Sequence, residues 1–293
     1  MRLAVLSSLE SWYLRDLRRA AGSRHEIVCL AHQRLRADLG TQWTGRFLSG
    51  ARDLAECDAI LVRSMPPGSL EQVVFRMDVL GRLQEAGTVV INPPRALEAA
   101  IDKYLTSARL LAAGLLTPRT VVCQTAEEAR DGFDRLGGDV VVKPLFGGEG
   151  RGILRVEDQD LAHRVFHTLE QVGAVFYLQE FIPHDGFDIR LLLIGDRVWA
   201  IRRRNPHDWR TNISRGGTGE PLDADPELIG LARRAASAIG APMVGVDILP
   251  GRDGGRYVLE VNAVPGWKGL SQTLQVDVAA AVLDYIQSLV HRS

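Results

Sequence analysis

The sequence predicts an α/β protein of two or three lobes, and three observations carry that expectation. Through residue 92, short apolar runs alternate with helical patterns, which implies a mostly parallel sheet covered by helices. In the middle of the chain, Val140–Lys143 and Ile153–Val156 frame a glycine-rich loop and read as a hairpin. Towards the end, Val244–Leu249 and Arg256–Asn262 are β-branched, apolar arms around Pro250–Gly255, a stretch of turn chemistry, so they form a second hairpin.

The first lobe follows from its alternation. Arg2–Leu6 reads as a short buried strand, Ser8–Ala21 as a helix and His25–Ala31 as the next strand. Asp58–Val62 is another strand. Leu70, Val73, Val74, Met77 and Leu80 then recur at helical spacing, and Thr88–Asn92 is a strand stopped by Pro93-Pro94, the first lobe boundary. Ser7-Ser8-Leu9-Glu10 stands where a glycine-rich phosphate loop would follow the first strand, so this lobe is not expected to bind a dinucleotide. Its loops remain free to touch a substrate.

Helices are expected over Ala96–Ile101 and Leu105–Ala113, the latter stopped by Gly114, then a strand over Arg119–Cys123. Thr125-Ala-Glu-Glu128 has the form of a capping box for the helix after it. Lys143 closes the next strand, and Gly147, Gly148, Gly150 and Gly152 follow before the chain turns back at Ile153. Glycine lets backbone N–H groups approach phosphate oxygens closely. A Rossmann or Walker loop would open a helix, and a Walker lysine would follow the glycines; here lysine precedes them and a strand follows. The segment reads as a flap over phosphates, against a plain surface hairpin. Val175–Pro183 is a strand ending at proline, and Phe187–Ile194 places Asp188 and Arg190 on one face. Gly195-Asp196 turns the chain into Arg197–Arg204, and a polar loop follows through Trp209, Arg210, Thr211 and Asn212 to Gly216-Gly217. Arginines gathered by such a loop suit carboxylate or phosphate recognition, the plainer alternative being a solvated basic edge. A helix over Glu227–Ile239 precedes the last hairpin, and one closing helix is expected over Thr273–Leu289.

On that hairpin Glu260 and Asn262 share a face, and a partner strand brings Asp247 beside them. Two carboxylates and an amide oxygen are hard ligands suited to Mg²⁺. A satisfied polar patch is the bland alternative, yet acids among Val, Leu and Ile need a counter-charge.

Composition narrows the class. The 293 residues carry a formal net charge of −1, which gives no electrostatic footprint for nucleic acid or an anionic membrane. No run approaches a membrane span or a signal peptide, and three scattered cysteines read as reduced thiols, so a cytoplasmic protein is expected. His163 and His167, four apart, read as a polar helix face rather than a ligand pair. Of 35 Lys plus Arg, only Lys103, Lys143 and Lys268 are lysines. Lysine is a compact point charge and arginine a planar fork, so a surviving lysine marks a task arginine cannot perform.

In this order, these pieces resemble the ATP-grasp superfamily and, within it, the RimK-type α-L-glutamate ligases. The resemblance covers about Asn92 to Gly269: Asp102-Lys103-Tyr104, Val-Val-Lys143-Pro with its glycine loop, Gln179-Glu180-Phe181-Ile182, Asp188-Ile-Arg190, Trp209–Asn212 with Gly216-Gly217, and Asp247, Glu260 and Asn262 before Pro265-Gly266. It implies an ATP-grasp fold with an N-terminal Rossmann-like (pre-ATP-grasp) lobe: residues 1–94, a central lobe with the flap over 95–183, and a C-terminal lobe with the metal site over 184–293. It further implies that Lys103 and Lys143 touch the phosphates of ATP beneath the flap glycines. Gln179–Ile182 would hold adenine, Asp188 the ribose, and Asp247, Glu260 and Asn262 two Mg²⁺ or Mn²⁺ ions. Arg190 and Arg210 would stabilise a phosphoryl group or acyl phosphate, with Thr211 and Asn212 beside them, and Lys268 would bind phosphate or a substrate carboxylate. The flap departs from the pattern, since Phe146-Gly-Gly-Glu149 replaces a smaller, more polar version.

The chemistry implied is carboxylate activation through an acyl phosphate, then attack by an amino acid's amine, L-glutamate by resemblance. The acceptor is a small cofactor, such as the pterin tetrahydromethanopterin, or a protein C-terminus; a homo-oligomer is compatible with this. The alternatives are a phosphotransferase acting on a hydroxyl and a catalytically degenerate ATP-binding regulator.

Overall fold

A computed structural model describes residues 1–40, 43–147, 151–213 and 216–292, without the side chains of 43–45. Strand β1 (Arg2–Leu6) runs into helix α1 (Trp12–Ala21) and returns as β2 (Glu26–Leu30), parallel to β1. Strands β3 (Leu35–Gly40), β4 (Trp43–Ser49) and β5 (Arg52–Asp53) make a small antiparallel sheet that sequence reading did not find. Charged residues such as Arg36, Asp38 and Arg46 interrupt the apolar pattern there. Strand β6 (Ala59–Val62) lies on the other side of β1; α2 (Leu70–Glu85) and β7 (Val89–Ile91) complete a parallel sheet of order β2-β1-β6-β7. The expected alternation therefore holds. A reciprocal capping box between Ser69 and Gln72 starts α2.

Helices α3 (Pro94–Ile101) and α4 (Lys103–Ala112) follow, α4 capped by the Asp102 carboxylate, which accepts from Leu105 N at 3.0 Å. The next layer holds β8 (Thr120–Cys123), α5 (Ala126–Arg135), β9 (Val140–Lys143), β10 (Leu154–Val156), α6 (Gln159–Gln171) and β11 (Phe176–Glu180), an antiparallel sheet of order β10-β9-β11-β8. Strands β9 and β10 form the expected hairpin. At α5 the Thr125 hydroxyl accepts from Glu128 N, but it bonds the Glu128 carboxylate directly, so the reciprocal backbone bond of a full capping box is not made. The rings of His163 and His167 stack on α6, a polar face as expected.

The last layer holds β12 (Phe187–Ile194), β13 (Arg197–Arg204), β14 (Thr218–Pro221), α7 (Pro226–Ile239), β15 (Met243–Pro250) and β16 (Arg256–Asn262). They make an antiparallel sheet of order β14-β13-β12-β15-β16. The closing helix is two helices, α8 (Lys268–Leu274) and α9 (Val278–Val290). Gln275 adopts a left-handed φ of 55°, which ends α8, and Asp277 restarts the chain by accepting from Ala280 N at 3.0 Å.

Packing joins the first and last layers. Leu6, Ile60 and Val90 share one apolar cluster with Leu191, Val246 and Val261, while Leu3, Val5 and Leu17 share another with Leu192, Val282 and Ile286. Each such side chain contributes ~1.5–3 kcal/mol when buried. The middle sheet instead packs Phe133, Phe166, Phe176 and Leu178 into a core of its own. Among the described residues no helix is long and apolar enough to cross a membrane, and all three cysteines are free.

Candidate active site

The site is set by strand register. The tight turn at Gly195-Asp196 places Asp188 opposite Arg203, and β15 places Asp247 opposite Arg190. Strand β16 then sets Glu260 opposite Asp247 and Asn262 opposite Gly245. Alternation puts all six polar side chains on one face, as expected for Asp247, Glu260 and Asn262 and for Asp188 with Arg190. The ladder breaks after Asp247: Ile248 pairs with Val258, which leaves Leu259 as a bulge. Two consecutive side chains, Leu259 and Glu260, consequently line the same cavity.

Asp247 is 5% exposed and surrounded by cations. Arg190 Nη1 donates to both its oxygens at 2.8 and 2.9 Å, and Arg203 Nη2 lies 3.0 Å from it. Arg203, itself buried, also donates to Asp188 at 2.8 Å. Burial alone would push the Asp247 carboxyl up, but Arg190 and Arg203 outweigh it and hold the group below its ordinary range. Two acids and two arginines make a neutral buried cluster, the arrangement that low-dielectric surroundings tolerate. Gly245 permits it, because a Cβ there would stand 2.7 Å from Arg190 Nε.

The middle sheet supplies the opposing wall. Lys143, ending β9, donates to Gln179 Oε1, and Gln179 Nε2 donates to Thr120 Oγ1 at 3.2 Å. Burial pushes Lys143 down to about 8; Lys103 adds to the effect while Glu260 and Asp247 oppose it. Lys103 Nζ donates to the Gly147 carbonyl at 2.7 Å, tying α4 to the start of the glycine loop, and burial lowers its pKa against the pull of Glu260. Gly147 and Gly152 have φ of 122° and 70°, conformations that favour glycine. Gly148 and Gly150 lie outside the described residues.

A cavity opens between the two walls. Of the residues expected to bind nucleotide or metal, it is lined by Lys143, Gln179–Ile182, Asp188, Arg210, Thr211, Asn212, Asp247 and Glu260. Glu180 is held by Arg119 N and Nε at 2.7 and 2.6 Å, and Phe181 lies between Arg155, 3.7 Å from its ring centre, and Trp209 at 5.9 Å. Arg210 pairs with Asp208 at 2.6 Å and reaches the Ile153 carbonyl at 3.3 Å, bridging the last layer to the hairpin. Arg190 sits behind Asp247 rather than on the cavity wall. Asn262 Oδ1 accepts from Val264 N at 2.8 Å. Lys268 stands apart, its Nζ 5.7 Å from the Trp12 ring centre against the first layer.

Glu260 decides the fit to a metal. It is half-buried and makes no hydrogen bond or ion pair among the described residues, although Lys103 and Lys143 feel its charge. An unpaired carboxylate so placed calls for a cation, and with Asp247 and Asn262 it is an oxygen donor set that suits Mg²⁺. No group of three or more His, Cys, Asp or Glu among the described residues forms a metal-ligand cluster, so the amide oxygen and substrate oxygens must complete any shell. Sequence reading placed Trp209 in a motif without giving it a role, and gave none to Arg203 or the apolar walls Val141, Ile153, Leu249 and Leu259. For Arg203 the signal was present: a two-residue turn at Gly195-Asp196 pairs it with Asp188.

The chain is similar to known proteins. Residues 100–286 match the RimK-like ATP-grasp domain family. The chain is 33% identical over 276 residues to tetrahydromethanopterin:alpha-L-glutamate ligase of Methanosarcina acetivorans, covering 83% of this chain and 84% of that one. The ATP-grasp ligase PsnB complexed with minimal precursor superposes with a TM-score of 0.78 at 27% identity, over 98% of both chains. Its complex with minimal precursor, Mg and ADP gives 0.75 at 26%, over 99% and 98%. A cavity between two antiparallel sheets, a lysine before a glycine loop and a facing carboxylate pair accord with that match, and the chain belongs to the RimK-like ATP-grasp family of ATP-dependent carboxylate–amine ligases.

Proposed function

We propose that the protein joins the amine of L-glutamate to a carboxylate of a small pterin acceptor such as tetrahydromethanopterin, with ATP converted to ADP and phosphate. The observation that supports this most directly is the convergence of Lys143, Asp247 and Glu260 on one cavity between two sheets. The relative of known name at 33% identity supports the choice of substrates.

In this reading Gln179–Ile182 and the apolar walls receive adenine, and Asp188 faces the ribose. Lys103 and Lys143 meet the phosphates beneath Gly147 and Gly152, with Arg210, Thr211 and Asn212 closing from the last layer. Glu260, Asn262 and Asp247 would hold two Mg²⁺ or Mn²⁺ ions, which supply charge neutralisation on phosphate oxygens. An acceptor carboxylate oxygen attacks the γ-phosphorus, giving an acyl phosphate and ADP. The neutral amine of glutamate then attacks the acyl carbon; the amide forms, phosphate leaves and the amine's proton is lost. The chain's contribution is positioning and fixed charge: Arg190 keeps Asp247 ionised and in place, and Arg210 faces the transferred group.

The test is ADP release by the purified protein with ATP, Mg²⁺, tetrahydromethanopterin and each amino acid in turn, with the product weighed by mass spectrometry. Release that requires both pterin and L-glutamate, and a product heavier by one glutamyl residue, is expected. A phosphorylated hydroxyl compound formed without any amino acid would overturn the reading.

A further inference from the structure

A second polar site lies outside the nucleotide cavity, at the carboxyl ends of β1 and β6. The sheet order β2-β1-β6-β7 sends the chain to opposite sides of β1, so the gap between β1 and β6 is the switch point at which open parallel sheets bind ligands. Arg63 occupies that gap, its N–H donating to the Leu6 carbonyl at 3.0 Å. Its side chain is buried against two aromatic rings that meet each other at 4.8 Å, with Cζ 4.6 Å from the centre of Tyr13 and 4.3 Å from that of Trp267. Its Nε and Nη1 are buried without a hydrogen-bond partner, and no carboxylate pairs with it among the described residues. Burial pushes this guanidinium down to about 10, Tyr13 opposing. An unpaired buried charge is costly and is retained where a ligand completes it.

The surroundings select the ligand. Lys268 Nζ lies over Trp12, whose ring meets Tyr13 edge-on at 5.3 Å, and no carboxylate pairs with this lysine among the described residues either. Asp16, the acid at this cluster, is already engaged by Trp267 Nε1 at 2.9 Å and by Arg19. Gly266 lets the chain press against Tyr13, since a Cβ there would stand 2.5 Å from the hydroxyl. Asn92, just past β7, donates to the carbonyls of Met243 and Ala263, which ties this end of the first sheet to the strand that carries Glu260. The unpaired guanidinium is a planar fork, which matches the two oxygens of a carboxylate.

We propose that this cluster is the substrate-carboxylate subsite of the ligase, with Arg63 as the fork that receives the carboxylate and Lys268 as a second cation beside it. The proposal rests on the ligase reading given above, and its test separates the two. Calorimetric titration of L-glutamate, and of glutarate as a carboxylate without an amine, into the full chain saturated with ADP and Mg²⁺ is compared for wild type, Arg63→Met and Lys268→Met. Binding of at least one probe about 10- to 100-fold weaker in Arg63→Met, and weaker by a smaller factor in Lys268→Met, is expected, with ADP affinity unchanged. Loss confined to L-glutamate assigns the subsite to the amino acid; loss of both probes assigns it to a dicarboxylate acceptor. Methionine keeps the apolar stem against the rings, and Lys268 is exposed, so the second variant reports even if the first is poorly folded. No binding of either probe to the wild type, or binding unchanged in both variants, overturns the subsite. Unaltered ADP binding in Lys143→Ala would instead count against the nucleotide site.

Discussion

A single nitrogen of Arg190, Nη1, bonds both carboxylate oxygens of Asp247, at 2.8 and 2.9 Å. Asp247 is thus a structural acid as well as a proposed metal ligand, whereas Glu260 across the ladder has no such partner. Substituting the two should separate these roles. Asp247→Asn leaves Arg190 and Arg203 short of counter-charge and should cost ~3–5 kcal/mol of stability. Glu260→Gln should change stability by no more than about 0.5 kcal/mol while lowering Mg²⁺-dependent turnover by about 100-fold or more. Urea denaturation beside a Mg²⁺ titration of ADP release checks both; equal destabilisation would contradict the assignment.

Gly245 gives a steric route to the same cluster. A methyl group 2.7 Å from Arg190 Nε forces the guanidinium off Asp247. Gly245→Ala should therefore destabilise by ~1–3 kcal/mol, and Arg190→Met introduced on top of it should relieve part of the steric component. Thermal unfolding of the two single variants and the double variant reads the coupling; simple additivity would count against it.

Lys143 sets a pH dependence. With its pKa near 8, the ammonium is charged at neutrality and lost as pH rises through that value, so nucleotide affinity should fall between pH 7 and 9. Phosphates favour the charged form, so binding near pH 8 should take up protons, visible as a buffer-dependent heat by calorimetry. The folding contribution has the opposite sense. Between about 8 and 10.5 the unfolded chain binds more protons at this lysine than the folded one, so stability should rise across that window relative to Lys143→Met. Matching pH profiles in the two proteins would refute both expectations.

Phe181 and Trp209 meet edge-to-face at 5.9 Å across the cavity from different layers. Such a contact is worth ~0.5–1.5 kcal/mol. Trp209→Ala should raise the Kd for ATP about 2- to 10-fold with little effect on melting temperature, measured by calorimetry and thermal unfolding.

Much of this site was legible because period-two alternation and turn chemistry are local. Asp188, Arg190, Asp247, Glu260 and Asn262 could be placed on their faces from spacing alone, and the glycine loop was distinguished from helix-opening loops by what preceded and followed it. Other features depend on contacts that spacing does not encode. The bulge at Leu259 turns two consecutive residues to one cavity, against the alternation from which the strand was read. Lys268, expected to bind phosphate or a substrate carboxylate, is set over Trp12 by tertiary packing that spacing does not encode. The break at Gln275 was hidden because the apolar pattern continues through it, and only the left-handed backbone reveals two helices.

The apolar clusters that join Leu3 and Val5 to Val282 and Ile286 also set an order of assembly on the ribosome. The middle layer, with Phe133, Phe166 and Phe176 in a core of its own, can consolidate as soon as it emerges. The opening strands cannot bury this face until the final helix has been translated.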